Sequence, residues 1–324
     1  MSDVSLITST YRSEVYLRAY IENVRQLASD FANAGKTLEL VVVANDATVA
    51  EEPFLQHLEA ASWNGLTVTV VRVPRESVYA SWNRGVELAS SNAISFWGVD
   101  DTRYSEALLE GIEILTMCDV VYFPYRVITA VELGLFKSHL DSVFPARPFN
   151  RTSFLNRMSL GPFWMTTRTF YQHLNGTDDN FRVCGDFEWC HRAIQDNGRL
   201  QAGSALGGMF IVHGDNLSAN TNPLKIVEEN IVYLRAGLYD KAKPCDPILM
   251  RDHWERWGDN GITLPIETQA FLWGDGAKQR QAAWLIDWQR RQRRETLLRI
   301  PRAVIEALGL RPLLAKAGLM KATS

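Results

Sequence analysis

Ala93-Ile94-Ser95-Phe96-Trp97-Gly98-Val99-Asp100-Asp101 is a short apolar run that ends in two adjacent carboxylates. Its composition predicts a strand over Ala93–Val99, with the Asp pair just beyond the carboxyl end. Two ionised side chains in that position repel one another unless positive charge sits beside them. A divalent cation held through oxygen is one remedy, and a solvated turn or helix cap is the other. What surrounds the pair decides between them.

Upstream, the chain alternates strand and helix. Val78, Trp82, Val86 and Ala89 recur at helical spacing, which reads Trp82 as core. Leu66–Val73 and Leu38–Val43 are strand-like, the latter apolar on both faces as a central parallel strand is. Val4–Ile7 opens the series, and Leu17, Tyr20, Ile21, Val24, Leu27, Ala28 and Phe31 mark a helix with Ser13 as its N-cap. This order predicts an α/β protein with a doubly wound, mostly parallel sheet flanked by helices. Ligands of such sheets bind at the carboxyl ends of the strands. Thr8–Arg12, Asn45–Thr48 and Asp100–Arg103 are therefore the segments to read.

Downstream, residues 104–222 are less regular. Asp119–Tyr125 and Met209–Val212 read as strands, and Asp178–Asn197 holds a helix closed by Asn197-Gly198. Phe136–Arg157, rich in Pro, Arg and aromatics, reads as a long loop. These features divide the chain into a domain over 1–222, with halves 1–103 and 104–222, and a helical C-terminal extension over 223–324.

The chain has 324 residues, 46% of them hydrophobic and 22% charged, the make-up of an ordinary globular protein. It begins with no secretory leader pattern and has no apolar run long enough to span a bilayer. Cys118, Cys184, Cys190 and Cys245 lack metal-site spacing and read as reduced structural thiols in a cytoplasmic protein. The net charge of -3 conceals a split: residues 276–324 hold eleven Lys/Arg against three Asp/Glu. From about 276 the tail mixes Trp284, Leu285, Ile286 and Trp288 with Arg290, Arg291, Arg293 and Arg294. It reads either as an interfacial segment on anionic lipid or as a basic helix packed on the acidic body.

The order of motifs resembles family 2 glycosyltransferases of the GT-A fold. Val4–Tyr11 looks like their opening strand and nucleotide loop, and Val41–Thr48 like their second strand with its acidic turn. Trp82-Asn83-Arg84-Gly85 is similar to their Arg-Asn-x-Gly helix, and Phe96–Asp101 stands at their DxD motif. Gly185–Arg192 resembles the Glu-Asp motif and its helix, and His213–Ser218 the loop that closes over the diphosphate. The likeness covers about residues 3–220. It departs from the pattern at Gly98, Gly185 and Asn45, each standing where the family has an acid.

The resemblance implies an inverting, metal-dependent transfer of sugar from a nucleotide-diphosphate donor, UDP-sugar favoured, to a hydroxyl of a glycan or lipid-linked acceptor. Polysaccharide or glycolipid assembly is the setting it suggests. It implies Mn²⁺ or Mg²⁺ held by Asp100, Asp101 and His213, with His213 alternatively bonded to the phosphates or an ordinary strand-end histidine. Asp186 would be the base, or else a helix N-cap. Thr8 and Thr10 would bracket the nucleobase, Asp46 would accept from its N–H, and Tyr11 would stack on it or pack on the sheet. Asn83 and Arg84 share a face from which Arg84 reaches a phosphate. Trp164 reads as a buried residue before a sugar contact. The basic tail adds an anionic membrane surface as a partner, and nucleic acid is not expected. A nucleotidyltransferase or Rossmann dehydrogenase would need a glycine-rich loop after the first strand, and Thr8-Ser9-Thr10-Tyr11-Arg12 has no glycine. Gly98 and Gly185 keep open a second class, a catalytically degenerate domain that binds a glycan or partner.

Overall fold

Leu38–Asn45 is buried along its whole length, with parallel neighbours on both sides, as its unbroken apolar run predicts. The computed structural model describes residues 2–133, 136–213, 222–258 and 261–299. The first hundred residues run β1 (Val4–Thr10), α1 (Glu14–Asn33), β2 (Leu38–Asn45), α2 (Glu52–Glu59), β3 (Leu66–Val73), α3 (Val78–Leu88) and β4 (Ala93–Phe96). Strand β4 stops three residues earlier than expected. Asp101 N–H turns back to the Gly98 carbonyl at 3.1 Å, closing a tight turn over 98–101.

Then come β5 (Thr102–Arg103), α4 (Ser105–Ile114), β6 (Val120–Tyr122), β7 (Tyr125–Leu133), β8 (Phe136–Phe144), α5 (Arg151–Asn156), β9 (Trp164–Thr167), α6 (Arg168–His173), α7 (Gly185–Gln195), β10 (Leu200–Ala202), β11 (Gly208–Val212) and α8 (Pro223–Arg235). The loop expected over Phe136–Arg157 is instead largely strand β8 and helix α5. Asn150 explains the helix: its side chain caps it by accepting from Ser153 N–H at 2.9 Å. Helix α7 ends with Asn197 in the left-handed conformation, φ 60°, and Gly198 N–H bonded to Ala193 O.

The main sheet has the order β10-β6-β9-β4-β1-β2-β3, and β9 alone runs antiparallel to its neighbours. A smaller sheet has the order β5-β11-β7-β8. Alternation along the main strands feeds two cores. Leu6, Leu40 and Val42 pack with Leu17, Tyr20, Leu27 and Phe31 of α1 on one face. Ile7, Val41 and Phe96 pack with Val86, Trp164 and Trp189 on the other. Burial of each large apolar side chain contributes about 1.5–3 kcal/mol. Trp164 is a core residue, stacked on Trp189, and Trp82 lies flat on Phe96 at 4.3 Å. All four cysteines are buried free thiols. The fold is the expected mixed α/β type, a mostly parallel sheet between helices.

Two compact units divide the chain, one of residues 1–130 and 141–232, the other of 131–140 and 233–324. The division falls inside α8. In the second unit, α9 (Pro247–Trp257), α10 (Ile266–Trp273) and α11 (Ala277–Arg299) follow a single 3₁₀ turn. On α11, Trp284, Leu285 and Trp288 share one side and Arg290, Arg293 and Arg294 the other, at about 100° per residue, while Arg291 follows Trp284 by seven residues and falls on the aromatic side. Ile286 falls among the arginines and blurs that face. Among the described residues no helix is long and apolar enough to cross a membrane. The rest of the expected tail, 300–324, lies outside the described residues.

Candidate active site

Asp100 and His213 are 113 positions apart in the chain, yet Asp100 Oδ2 lies 2.9 Å from His213 Nε2. The turn after β4 carries the first, and the end of β11 the second. Tyr16, in the first turn of α1, stacks on the imidazole at 5.3 Å with its hydroxyl 3.5 Å from Nδ1. Both ring nitrogens of His213 thus face a polar neighbour, which orients the ring. Of the expected loop His213–Ser218, only His213 lies within the described residues.

Gly98 makes the Asp100 position available. A Cβ at 98 would stand 2.8 Å from Asp100 Oδ1 and 3.3 Å from Asp101 Oδ2. The second carboxylate has a different task. Asp101 Oδ1 accepts from Ile211 N–H at 3.2 Å, and its carbonyl accepts from the Trp97 indole at 3.0 Å. Burial, then the charge of Asp100, push the Asp101 carboxyl well above the usual carboxylate range. Below it Arg103 is buried, donating to Ser95 Oγ at 2.7 Å while Nε and Nη1 have no partner. Burial pulls that guanidinium down to about 9.

Among the described residues no three His, Cys, Asp or Glu side chains form a ligand cluster. Of the expected trio, Asp100 and His213 face one another, while Asp101 is tied to β11 through Oδ1. Asp100 and His213 do suit a hard divalent cation. Their 2.9 Å separation is close to the roughly 3 Å between adjacent ligands of an octahedral ion held at about 2.1 Å.

At the carboxyl ends of β1 and β2 the expected residues are gathered. Thr8 is buried, pairs with Val42 along the ladder, and its hydroxyl accepts from Tyr20 at 2.8 Å. Thr10 is also buried, and its Oγ1 has no hydrogen-bond partner. Tyr11 carries the Arg75 guanidinium 3.3 Å above its ring. Asp46 is exposed, with φ 51°. Asn45 is not a weakened carboxylate. It donates to Glu76 O at 2.8 Å and accepts from Glu76 N–H at 2.9 Å, a pairing no Asp can make.

Ser13 occupies the N-cap position of α1 without a side-chain cap bond. Its N–H instead donates to Glu51 at 2.7 Å, and Glu51 also accepts from Thr48 N–H at 2.9 Å. One buried carboxylate thereby ties together the loops after β1 and β2. The sequence reading missed Glu51, as it missed Arg75 and Tyr16.

Asn83 and Arg84 hold the scaffold. The Asn83 carboxamide donates to Thr177 O and accepts from Tyr171 and Thr177, all within 3.0 Å. Arg84 is paired with Glu76 at 2.9 Å, which holds the Glu76 carboxyl below its usual range.

Asp186 is the second residue of α7, whose N-cap is Cys184. The N-cap alternative is thereby removed. Burial raises its carboxyl to about 6, against hydrogen bonds from Phe187 N–H at 2.8 Å and the Tyr79 hydroxyl at 3.4 Å. The segment leading into α7 is fixed by Glu228 of α8, which accepts from the N–H groups of Arg182, Val183 and Cys184, each at 2.8 Å.

The sequence matches no known protein-family profile and no curated protein. Solved structures do share the fold. Residues 1–349 of TarS from S. aureus in complex with UDP-GlcNAc superpose with a TM-score of 0.55 at 15% identity, over 83% of this chain and 78% of that one. The UDP complex of the same fragment gives 0.52 at 16%, over 83% and 77%. The mannosyltransferase PcManGT from Pyrobaculum calidifontis, with GDP-Man and Mn²⁺, gives 0.51 at 15%, over 79% and 70%. The chain thus has the GT-A-type glycosyltransferase fold.

Proposed function

We propose that this protein is an inverting glycosyltransferase that moves a sugar from a nucleotide-diphosphate donor to a hydroxyl of a glycan or lipid-linked acceptor. The convergence of Asp100, His213 and Tyr16 from three distant segments carries this reading. It lies beside the strand ends where α/β folds receive ligands. Tyr11, Arg75, Asp46 and Thr10 form the nucleoside side of the reading, with UDP favoured over GDP for Asp46 to accept from uracil N–H. Structures with this fold hold UDP-GlcNAc and GDP-Man.

Asp100 and His213 would hold Mn²⁺ or Mg²⁺, which supplies neutralisation of the charge that develops on the departing diphosphate. Asp186, raised to about 6, is ionised at neutral pH and basic enough to take the acceptor's proton. The acceptor oxygen then bonds to the anomeric carbon, whose bond to phosphate oxygen breaks with its electron pair. The exposed Leu285 and Ile286, the half-buried Trp284 and Trp288 and the arginines of α11 suit an anionic membrane surface, where a lipid-linked acceptor would be met.

The test is thermal stabilisation by a panel of nucleoside diphosphates with and without Mn²⁺. Occupancy at 100-fold excess over Kd adds about 2.7 kcal/mol. One diphosphate, UDP first, is expected to raise Tm in a Mn²⁺-dependent way, and Asp100→Ala to diminish the gain. No stabilisation by any of them would overturn the reading. Stabilisation without transfer from any nucleotide sugar would establish the degenerate binding domain instead.

A further inference from the structure

Tyr79, the second residue of helix α3, meets Asp186 from a different element. It is buried, edge-on to Trp82, and its ring fills the place a side chain at 185 would take. A Cβ on Gly185 would stand 2.7 Å from Tyr79 Cδ2 and Cε2. The Tyr79 hydroxyl and Phe187 N–H both donate to Asp186 Oδ1, and neither bonds Oδ2. Resting on the reading of Asp186 as the base, we propose that Tyr79 is a positioning residue. It holds Oδ1 from behind so that Oδ2 is the atom that takes the acceptor's proton.

The phenol is suited to this as a lasting donor. Burial, then the charge of Asp186, push its own ionisation well above the usual tyrosine range. It therefore keeps its proton where the Asp186 carboxyl titrates. Lys225 of α8 acts on this carboxylate, which in turn acts on the Cys184 and Cys190 thiols, while Glu228 of α8 acts on Tyr79 and on Cys184, and Glu229 on Cys184. Of the side chains that bond the Asp186 carboxylate, Tyr79 comes from α3, so its removal changes the base while Glu228 still holds the segment before α7.

A donor to the ionised form lowers a carboxyl's pKa, so its loss raises it. In Tyr79→Phe the Asp186 carboxyl, followed by carbon NMR on protein without donor, is expected to titrate about half a unit to one unit higher. The acid limb of kcat against pH is expected to move by the same amount, with KM for the nucleotide sugar unchanged. Should Tyr79→Phe not fold, the Cζ resonance of Tyr79 in the unaltered protein serves. It should report an inflection near 6 that vanishes in Asp186→Asn. An Asp186 titration unmoved in folded Tyr79→Phe, or a Tyr79 resonance without that inflection, overturns the proposal. Full transfer by Asp186→Asn would instead remove the base reading, and the NMR titrations separate the two failures.

Discussion

Gly98 and Gly185 stand beside the two carboxylates proposed as metal ligand and base, Asp100 and Asp186, and each yields its space to a different kind of neighbour. Over Gly98 lies the tip of Asp100, a flexible charged group that also meets His213. Over Gly185 lies the ring of Tyr79, a buried aromatic packed on Trp82. One glycine lets a carboxylate lie close to its own backbone turn. The other admits a rigid wall against which a carboxylate is set. The two acids differ accordingly: Asp100 faces the imidazole of His213 at 2.9 Å, and Asp186 is desolvated and raised to about 6. Carboxylates held in unlike surroundings can take different roles.

The largest expected effect tests the Asp186 half of that contrast. Asp186→Asn should lower the transfer rate by about 10²–10⁴-fold, the usual contribution of a positioned base. In the unaltered protein the rate should fall as pH drops through about 6, because the base works only when ionised. The linkage has the opposite sign for stability. A folded pKa raised above the unfolded value makes the charge unfavourable to folding above about 6 and indifferent below the ordinary carboxylate value of 3.8. Asp186→Asn should therefore melt no lower than the unaltered protein at pH 8, by calorimetry, while losing activity. A lower melting point with activity retained would reverse the assignment.

Next in size is Gly185→Ala. Its Cβ must push into the Tyr79 ring, and overpacking of this kind costs about 1–3 kcal/mol. In a Tyr79→Ala background the same change should cost less, with a coupling of about 0.5–3 kcal/mol by denaturant unfolding. Additive losses would mean that ring and glycine do not share one space.

That coupling also marks where the sequence stops being legible. Strand β2 was readable because a parallel strand covered on both faces is a continuous apolar run, and β1 and β3 because β-rich runs stand either side of it with helical periods between. Asp100 and Asp186 were readable because acids after an apolar run or at a helix start stand out. Strands β7 and β8 were not, since their apolar residues are interspersed with Arg, Glu, Lys and His and flanked by Pro. Strand β9 has only four residues, and its antiparallel place between β4 and β6 is a long-range fact. Glu51, Tyr16, Arg75 and Tyr79 share this cause. Each acquires its role from a partner distant in sequence, Tyr16 from His213 197 positions away. Asn45 looked like a lost acid because its partner, the Glu76 backbone, is visible only once β2 and α3 are side by side.

The smallest expected effect falls on the other glycine. Gly98→Ala brings a Cβ to 2.8 Å from Asp100 Oδ1, but that oxygen is the end of a side chain that can rotate away. Stability should change by no more than about 0.5 kcal/mol, the range of an uncrowded surface substitution. The displaced carboxylate should still weaken its pairing with His213, so Mn²⁺ binding in the presence of UDP, followed by calorimetry, should fall several-fold. Asp100→Asn in the same assay sets the floor for that loss. If Gly98→Ala binds Mn²⁺ as tightly as the unaltered protein, the close approach of Asp100 to residue 98 has no bearing on the metal, and the two glycines differ only in what they cost to fill. If it binds weakly yet melts normally while Gly185→Ala melts early, one glycine serves ligand geometry and the other serves the packing that sets the base.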